Sequence, residues 1–207
     1  MKYLLFISLV LIFSGCNRVY KNLAAAEGRV EDLNKFRPSF KTALYKARVN
    51  VIGRYMSGLL MVKEMPDSTI RLLFSSEMGL KFFDFEFGRQ GAFKVHYIIR
   101  EMNRKPVIRT LRKDFELVMI RPGNEDRLAV KSDSAGLYYI FPNDKGYYTY
   151  LTSRDGSKLR SMHRASKKRV IAEALIYQQV QGQPDSISIR HTTFTMDIRL
   201  TKIKNEK

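Results

Sequence analysis

Tryptophan is missing from this 207-residue chain, cysteine occurs once and histidine three times. A single cysteine excludes a disulfide framework and a cysteine-based zinc site within the chain. The histidines, His96, His163 and His191, are dispersed, with no HExxH or comparable metal spacing. There is no GxSxG nucleophile elbow and no glycine-rich phosphate loop. These absences remove the common signatures of hydrolases, metalloenzymes and nucleotide-binding enzymes, so we expect no catalytic activity, no cofactor and no metal. Acidic residues are also scarce: 20 Asp+Glu stand against 37 Lys+Arg, for a formal charge of +17 and a pI near 10.0. With 44% hydrophobic residues the chain is too apolar to be disordered. Its length suits one domain, and it contains no internal repeat, low-complexity tract or clear domain boundary.

What is present is most specific at the start. Lys2 precedes an almost unbroken apolar run from Tyr3 to Phe13, about eleven residues. That is short of the roughly 20 that span a bilayer as a helix, and it fits the h-region of a secretory signal. The run ends in Phe13-Ser14-Gly15-Cys16, which resembles the lipobox of bacterial lipoproteins, with Phe13 where an aliphatic residue is usual. The resemblance implies cleavage between Gly15 and Cys16 and acylation of the Cys16 thiol, so that Cys16 anchors the chain in membrane lipid. Two or three acyl chains suffice for a stable anchor, at about 0.8 kcal/mol per buried CH₂. Asn17, rather than Asp, follows the cysteine; in that family's sorting logic this implies the outer membrane. The segment after it, Arg18-Val19-Tyr20-Lys21, lacks an acidic export run, which favours the periplasmic face. We therefore expect a signal peptide over 1–15, a lipidated tether with a weak helical stretch over 16–40, and a single domain over 41–204.

From Tyr45 the hydrophobic period becomes two. Ala47, Val49 and Val51 alternate with Arg48 and Asn50, and Phe83, Phe85 and Phe87 with Asp84 and Glu86. Short turns, such as Pro66-Asp67-Ser68 and Gly88-Arg89-Gln90-Gly91, join five such segments into an antiparallel meander. The period changes once. Ile108, Leu111, Phe115 and Val118 or Met119 follow one helical face, Arg109, Arg112, Lys113 and Glu116 the other, and Pro106 suits the first turn. Alternation then resumes over 128–130, 137–141, 147–151, 158–163, 170–177, 186–190 and 194–200. Propensity alone would also allow a helix over 170–177, through Ala172, Glu173, Ala174 and Leu175, but its meander neighbours favour a strand. The expected fold is mainly β (α+β). It is a strongly curved antiparallel sheet of ten or eleven strands, with one mid-chain amphipathic helix closing the concave apolar face. With the lipobox, this order of elements is similar to the bacterial lipoprotein-carrier superfamily. That resemblance implies an open half-barrel holding acyl chains, although no residue motif beyond the lipobox carries it.

Two surfaces could serve such a protein. Phe83, Phe85, Phe87 and Phe93, with Met61, are candidates to line an adaptable apolar cavity, though filling a core is the commoner use of such residues. Two basic clusters, Arg104, Lys105, Arg109, Arg112 and Lys113 and then Arg164, Lys167, Lys168 and Arg169, are candidate contacts for an anionic surface. Nucleic acid is not expected for a secreted, anchored chain. The partners implied are membrane lipid through Cys16, an acyl chain or lipidated protein, and anionic headgroups or an acidic envelope protein. The favoured function is thus a non-enzymatic, periplasm-facing outer-membrane lipoprotein with a lipid-binding concave face. The alternative is an accessory lipoprotein that docks on an envelope complex through its basic surface. A hydrolase built on Asp84 and Glu86 is the third reading, against which stands a solvated strand face.

Overall fold

A computed structural model describes residues 19–51, 53–143, 145–178 and 182–204. Gly15, Cys16 and the expected signal segment lie outside the described residues. Strict alternation makes the first long strands. They are β2 (Thr42–Val51), β3 (Arg54–Glu64), β4 (Ile70–Ser75), β5 (Lys81–Phe87) and β6 (Phe93–Ile98). Helix α1 (Lys105–Val118) follows. After it come β7 (Ala129–Ser132), β8 (Leu137–Asn143), β9 (Gly146–Thr152), β10 (Leu159–Ser166), β11 (Val170–Gln178), β12 (Pro184–His191) and β13 (Met196–Lys202). A two-residue strand, β1 (Ala24–Ala25), precedes them all.

All thirteen form one antiparallel sheet in the order β1-β7-β8-β9-β10-β11-β12-β13-β2-β3-β4-β5-β6. Among the described residues β1 and β6 do not pair with each other, so the sheet is curved but unclosed. Two meanders meet where β13 pairs with β2, and α1 connects them. This is the expected architecture with more strands than expected. At β1 the reason is tertiary. Leu23-Ala24-Ala25-Ala26-Glu27 favours helix in isolation, but here Ala24 and Ala25 pair with β7 and the Ala26 amide donates to Val130 O (3.1 Å).

The tether expected over 16–40 is corrected from Val19 onward. The Val19 amide donates to Lys167 O (3.0 Å), and the Tyr20 ring packs near Tyr138 and Tyr147. A 3-10 helix, Val30–Phe36, buries Leu33 and Phe36 in the core. The apolar spacing read as a weak helix is thus a docked turn, because those side chains remove more apolar surface from water against the sheet than free in solution.

One core fills the concave face. Register places Tyr139, Tyr150, Met162, Ala174, Ile189, Ile198 and Val49 in a single inward row across seven strands. Helix α1 lies on this face through Leu111, Phe115 and Val118, as the helical stripe predicts. Its end has a Schellman arrangement: the Ile120 amide donates to Leu117 O (3.1 Å) and the Arg121 amide to Glu116 O (3.0 Å). The left-handed position there is usually glycine, yet this chain has Ile120 at φ +52°. A β-branched residue in that region costs roughly 1–2 kcal/mol. Full burial of the Ile120 side chain, in contact with the core, offsets that strain.

The outer face is not the solvated strand face expected around Asp84. That residue is only 4% exposed, because Arg71 holds both its oxygens (2.8 and 2.9 Å) and Lys81 lies 3.7 Å away. Beside it His96 Nε2 is 2.8 Å from Glu86. Hydrogen bonds from Arg71, then its positive charge, hold the Asp84 carboxyl below the usual carboxylate range. A depressed folded-state value means stability is present above the unfolded pKa of 3.8 and lost as pH falls through the folded one. Asp84→Asn is therefore expected to cost about 1–2 kcal/mol at pH 7, discounted because Arg71 is partly exposed. In urea denaturation at pH 7 and pH 3 the gap between parent and variant should narrow at the lower pH.

Candidate functional site

Helix α1 divides the concave face into two openings. At its N-terminal end lies an apolar groove of about 760 Å³. Val49 and Val51 of β2, Met56 of β3 and Met196 of β13 form the floor, and Met102, Val107 and Leu111 the opposite wall. Arg54, Glu101 and Thr110 supply the few polar groups at its margin. The groove exists because β2 and β13 end beyond the reach of α1, so the inward positions there lack a helix to cover them. A small cleft reaches deeper from it, sharing Val49, Met56, Met102 and Leu111 and ending on Phe74, Phe83 and Phe115. The volume lies in the range of small-molecule sites, and unbranched methionines adapt their shape to an apolar guest.

The groove has an orientation within the fold. Because successive strands are antiparallel, the β2–β3, β10–β11 and β12–β13 connections share one rim of the sheet. Tyr55 (65% exposed) and Phe194 (38%) stand on that rim beside the groove. The exposed turn Lys167-Lys168-Arg169, between β10 and β11, belongs to the same rim farther along the sheet, and its Lys167 carbonyl accepts from the Val19 amide. Lys131 Nζ donates to Tyr20 O (3.2 Å), fixing the same stretch of chain.

At the other end of α1 is a polar cleft of about 740 Å³, lined by Arg37, Arg89, Arg112, Lys113 and Arg121 with Glu116 and Glu125. Both carboxylates are engaged. Arg112 Nε donates to Glu116 (2.7 Å), the Tyr148 hydroxyl donates to the other Glu116 oxygen (2.9 Å), and Arg37 pairs with Glu125 (2.9 Å). Burial, reinforced by the Glu116 charge, pushes the Tyr148 phenol far above its ordinary value, so it stays a neutral donor.

Between the openings, α1 is pinned from beneath. Asp114, fully buried, accepts from His191 Nε2 of β12 (2.8 Å), and its other oxygen lies 3.2 Å from Arg164 Nη2 of β10. The latter contact is an ion pair off the hydrogen-bond direction, since Asp114 Oδ1 and Arg164 Nε have no hydrogen-bond partner. The sequence reading missed this constellation. Its signal was there: Asp114 falls inside the apolar stripe between Leu111 and Phe115, and His191 continues the inward Ile187-Ile189 alternation.

The expected cavity residues separate. Phe83 reaches the deep cleft, but Phe85 and Phe87 are core. Phe83 stacks on Phe85 (centroids 4.4 Å apart), and Phe93 packs edge-on against Phe85 and Phe87. Met61 is corrected: it alternates with the inward Leu60 and Val62, and its register partners Leu44 and Leu73 lie on the outer face. Among the expected anionic-surface contacts, Arg104, Lys105, Arg109, Lys167, Lys168 and Arg169 are exposed. Arg112 and Lys113 line the polar cleft. Arg164 is corrected, because it is buried under α1 against Asp114. The Asp84–Glu86 pair lies on the outer face of β5, with Asp84 held by Arg71, and lines neither opening.

Among the described residues no group of three His, Cys, Asp or Glu side chains is placed to hold a metal ion, and no helix is long and apolar enough to cross a membrane. No family model and no curated protein matches the chain. Among solved structures it is similar to a DUF1329 family protein from Desulfovibrio piger, at 10% identity over 84% of this chain and 88% of that one, with a TM-score of 0.42. It is also similar to a proposed outer membrane lipoprotein-sorting protein domain from Vibrio parahaemolyticus, at 6% identity over 85% and 90% of the two chains, with a TM-score of 0.45. At these scores the likeness carries no functional argument, and the reading that follows rests on the groove and the charges of this chain.

Proposed function

We propose that this protein is a non-enzymatic lipoprotein of the outer membrane, facing the periplasm and anchored through acylated Cys16, and that its concave groove takes an acyl chain of a lipid or lipidated protein. The observation that carries this reading is the apolar groove, open on the same rim at which the chain joins the fold. Val19 lies three residues beyond Cys16. An anchor there brings the rim, and with it the mouth of the groove, toward the bilayer. Lys167, Lys168 and Arg169 then meet anionic headgroups, each contributing about 1 kcal/mol near such a surface. Tyr55 and Phe194 present aromatic surface to the same interface, where an amphipathic or apolar ring is well accommodated.

The test uses the full chain extracted in mild detergent. A fluorescent fatty acid should bind saturably, and Thr110→Trp or Val107→Trp, which place an indole in the groove, should weaken it at least about tenfold. Cys16→Ser should move the protein from the membrane to the soluble fraction while leaving fatty-acid binding intact. Absence of saturable binding, or binding indifferent to both groove variants, would remove the carrier-like reading. Unchanged fractionation of Cys16→Ser would remove the anchor.

A further inference from the structure

The polar cleft at the C-terminal end of α1 is not needed by the groove, and its chemistry points to a different ligand. Each of its carboxylates already has a cationic partner, Glu116 with Arg112 and Glu125 with Arg37. Of the other cations, Arg121 and Arg89 have no carboxylate in contact among the described residues, although the charges of Glu64 and Asp67 reach them from farther away. Arg121 Nη1 donates only to uncharged oxygens, Phe87 O (3.3 Å) and Gly88 O (3.2 Å), and Arg89 Nη2 to the Ser68 hydroxyl (3.0 Å). Among the described residues neither arginine makes an ion pair. Lys113 lines the same wall.

Arg121 is also held where isolated electrostatics would not put it. Burial, and then the positive charge of Arg37, lower its pKa from the ordinary arginine value. The guanidinium groups of Arg121 and Arg37 thus repel each other across a partly desolvated space, although Glu125 is held by Arg37 and the Glu64 charge acts on Arg121. The backbone that delivers Arg121 is strained at the preceding residue, Ile120, at φ +52°. Ile120 itself lines the cleft. A side chain directed into a cleft by a costly backbone conformation is the kind of arrangement found at binding sites. The helix C-terminus opposes an anion, but weakly, since the Schellman amides already satisfy the Glu116 and Leu117 carbonyls.

We infer that this cleft binds a phosphate-bearing group, with Arg121 and Arg89 as its principal contacts and Arg37 and Lys113 around it. Planar guanidinium forks suit phosphate oxygens, and the cleft volume admits a phosphorylated headgroup or a soluble phosphate ester as readily as phosphate itself. This inference stands apart from the acyl-chain reading: the groove can be empty of lipid and the cleft still bind.

The experiment is titration of the full chain in neutral detergent with inorganic phosphate and with pyrophosphate, followed by calorimetry. In parallel, binding is measured to vesicles of phosphatidylglycerol with phosphatidylcholine and of phosphatidylcholine alone. Arg121→Gln and Arg89→Gln should each weaken binding about tenfold, whereas Arg109→Gln, on the exposed side of α1, should not. Arg89→Gln keeps the test valid if Arg121→Gln fails to fold. Saturable binding of the soluble anions that depends on both arginines assigns a soluble phosphate source. Dependence seen only with phosphatidylglycerol vesicles assigns a lipid headgroup. Absence of saturable binding to any of these probes, or equal binding by the parent and both variants, overturns the inference.

Discussion

Asp114→Asn is expected to destabilise the protein by about 3–5 kcal/mol, the usual cost of removing one partner from a buried ion pair. Asparagine keeps an oxygen that can accept from His191 but leaves Arg164 as an uncompensated charge beneath α1. For a chain of this size, each kcal/mol corresponds to roughly 2–4 °C, so the midpoint of thermal unfolding should drop by roughly 10 °C. The decisive comparison is the double variant Asp114→Asn with Arg164→Met. Removing both charges should restore much of the loss, because an apolar replacement of a buried pair is often neutral. A single-variant loss under about 1 kcal/mol would mean that the pair does not hold the helix on the sheet. The effect matters for function because α1 forms a wall of both the groove and the polar cleft.

Phe115→Ala is expected to cost a comparable amount, about 3–5 kcal/mol, by loss of buried surface and creation of a cavity. Phe115 is buried against Phe83 and Phe87 (centroids 6.2 and 6.4 Å away) and closes the deep end of the apolar cleft. Its removal should therefore move two measurements in opposite directions. Stability falls in denaturant titration, while the fluorescent fatty acid binds more tightly or in greater amount, since an apolar cavity accepts an apolar guest. Loss of stability with unchanged fatty-acid binding would mean that the cleft does not communicate with the groove.

Local chemistry made much of this legible. The period of two over β2 to β6 and the single helical stripe of α1 depend only on which residues must face away from water, and adjacent residues encode that. The turns that join the strands are written in Gly, Pro, Asn and Asp at short spacing. Where the sequence reading failed, the deciding partner was distant in the chain. Ala24–Ala25 became a strand because β7 offered it hydrogen bonds, against its helical propensity. Met61 is the exception, since local alternation with the inward Leu60 and Val62 already turns it outward despite its apolar character. Arg164 looked like one more surface cation in a basic run, and only Asp114, fifty residues earlier in the chain, shows why it is buried.

By itself, the order of residues determined an antiparallel sheet with one helix, a strongly basic surface and the resemblance to a lipobox at Cys16, since each depends on composition or on neighbours within a few positions. Only the tertiary structure decided which phenylalanines are core, and that α1 leaves an apolar opening at one end and a cationic one at the other. Those outcomes depend on where the strands end relative to the helix, and on how the sheet's curvature brings Arg37, Arg89 and Arg121 to one cleft. No local rule encodes that convergence, because it is a property of register summed across thirteen strands.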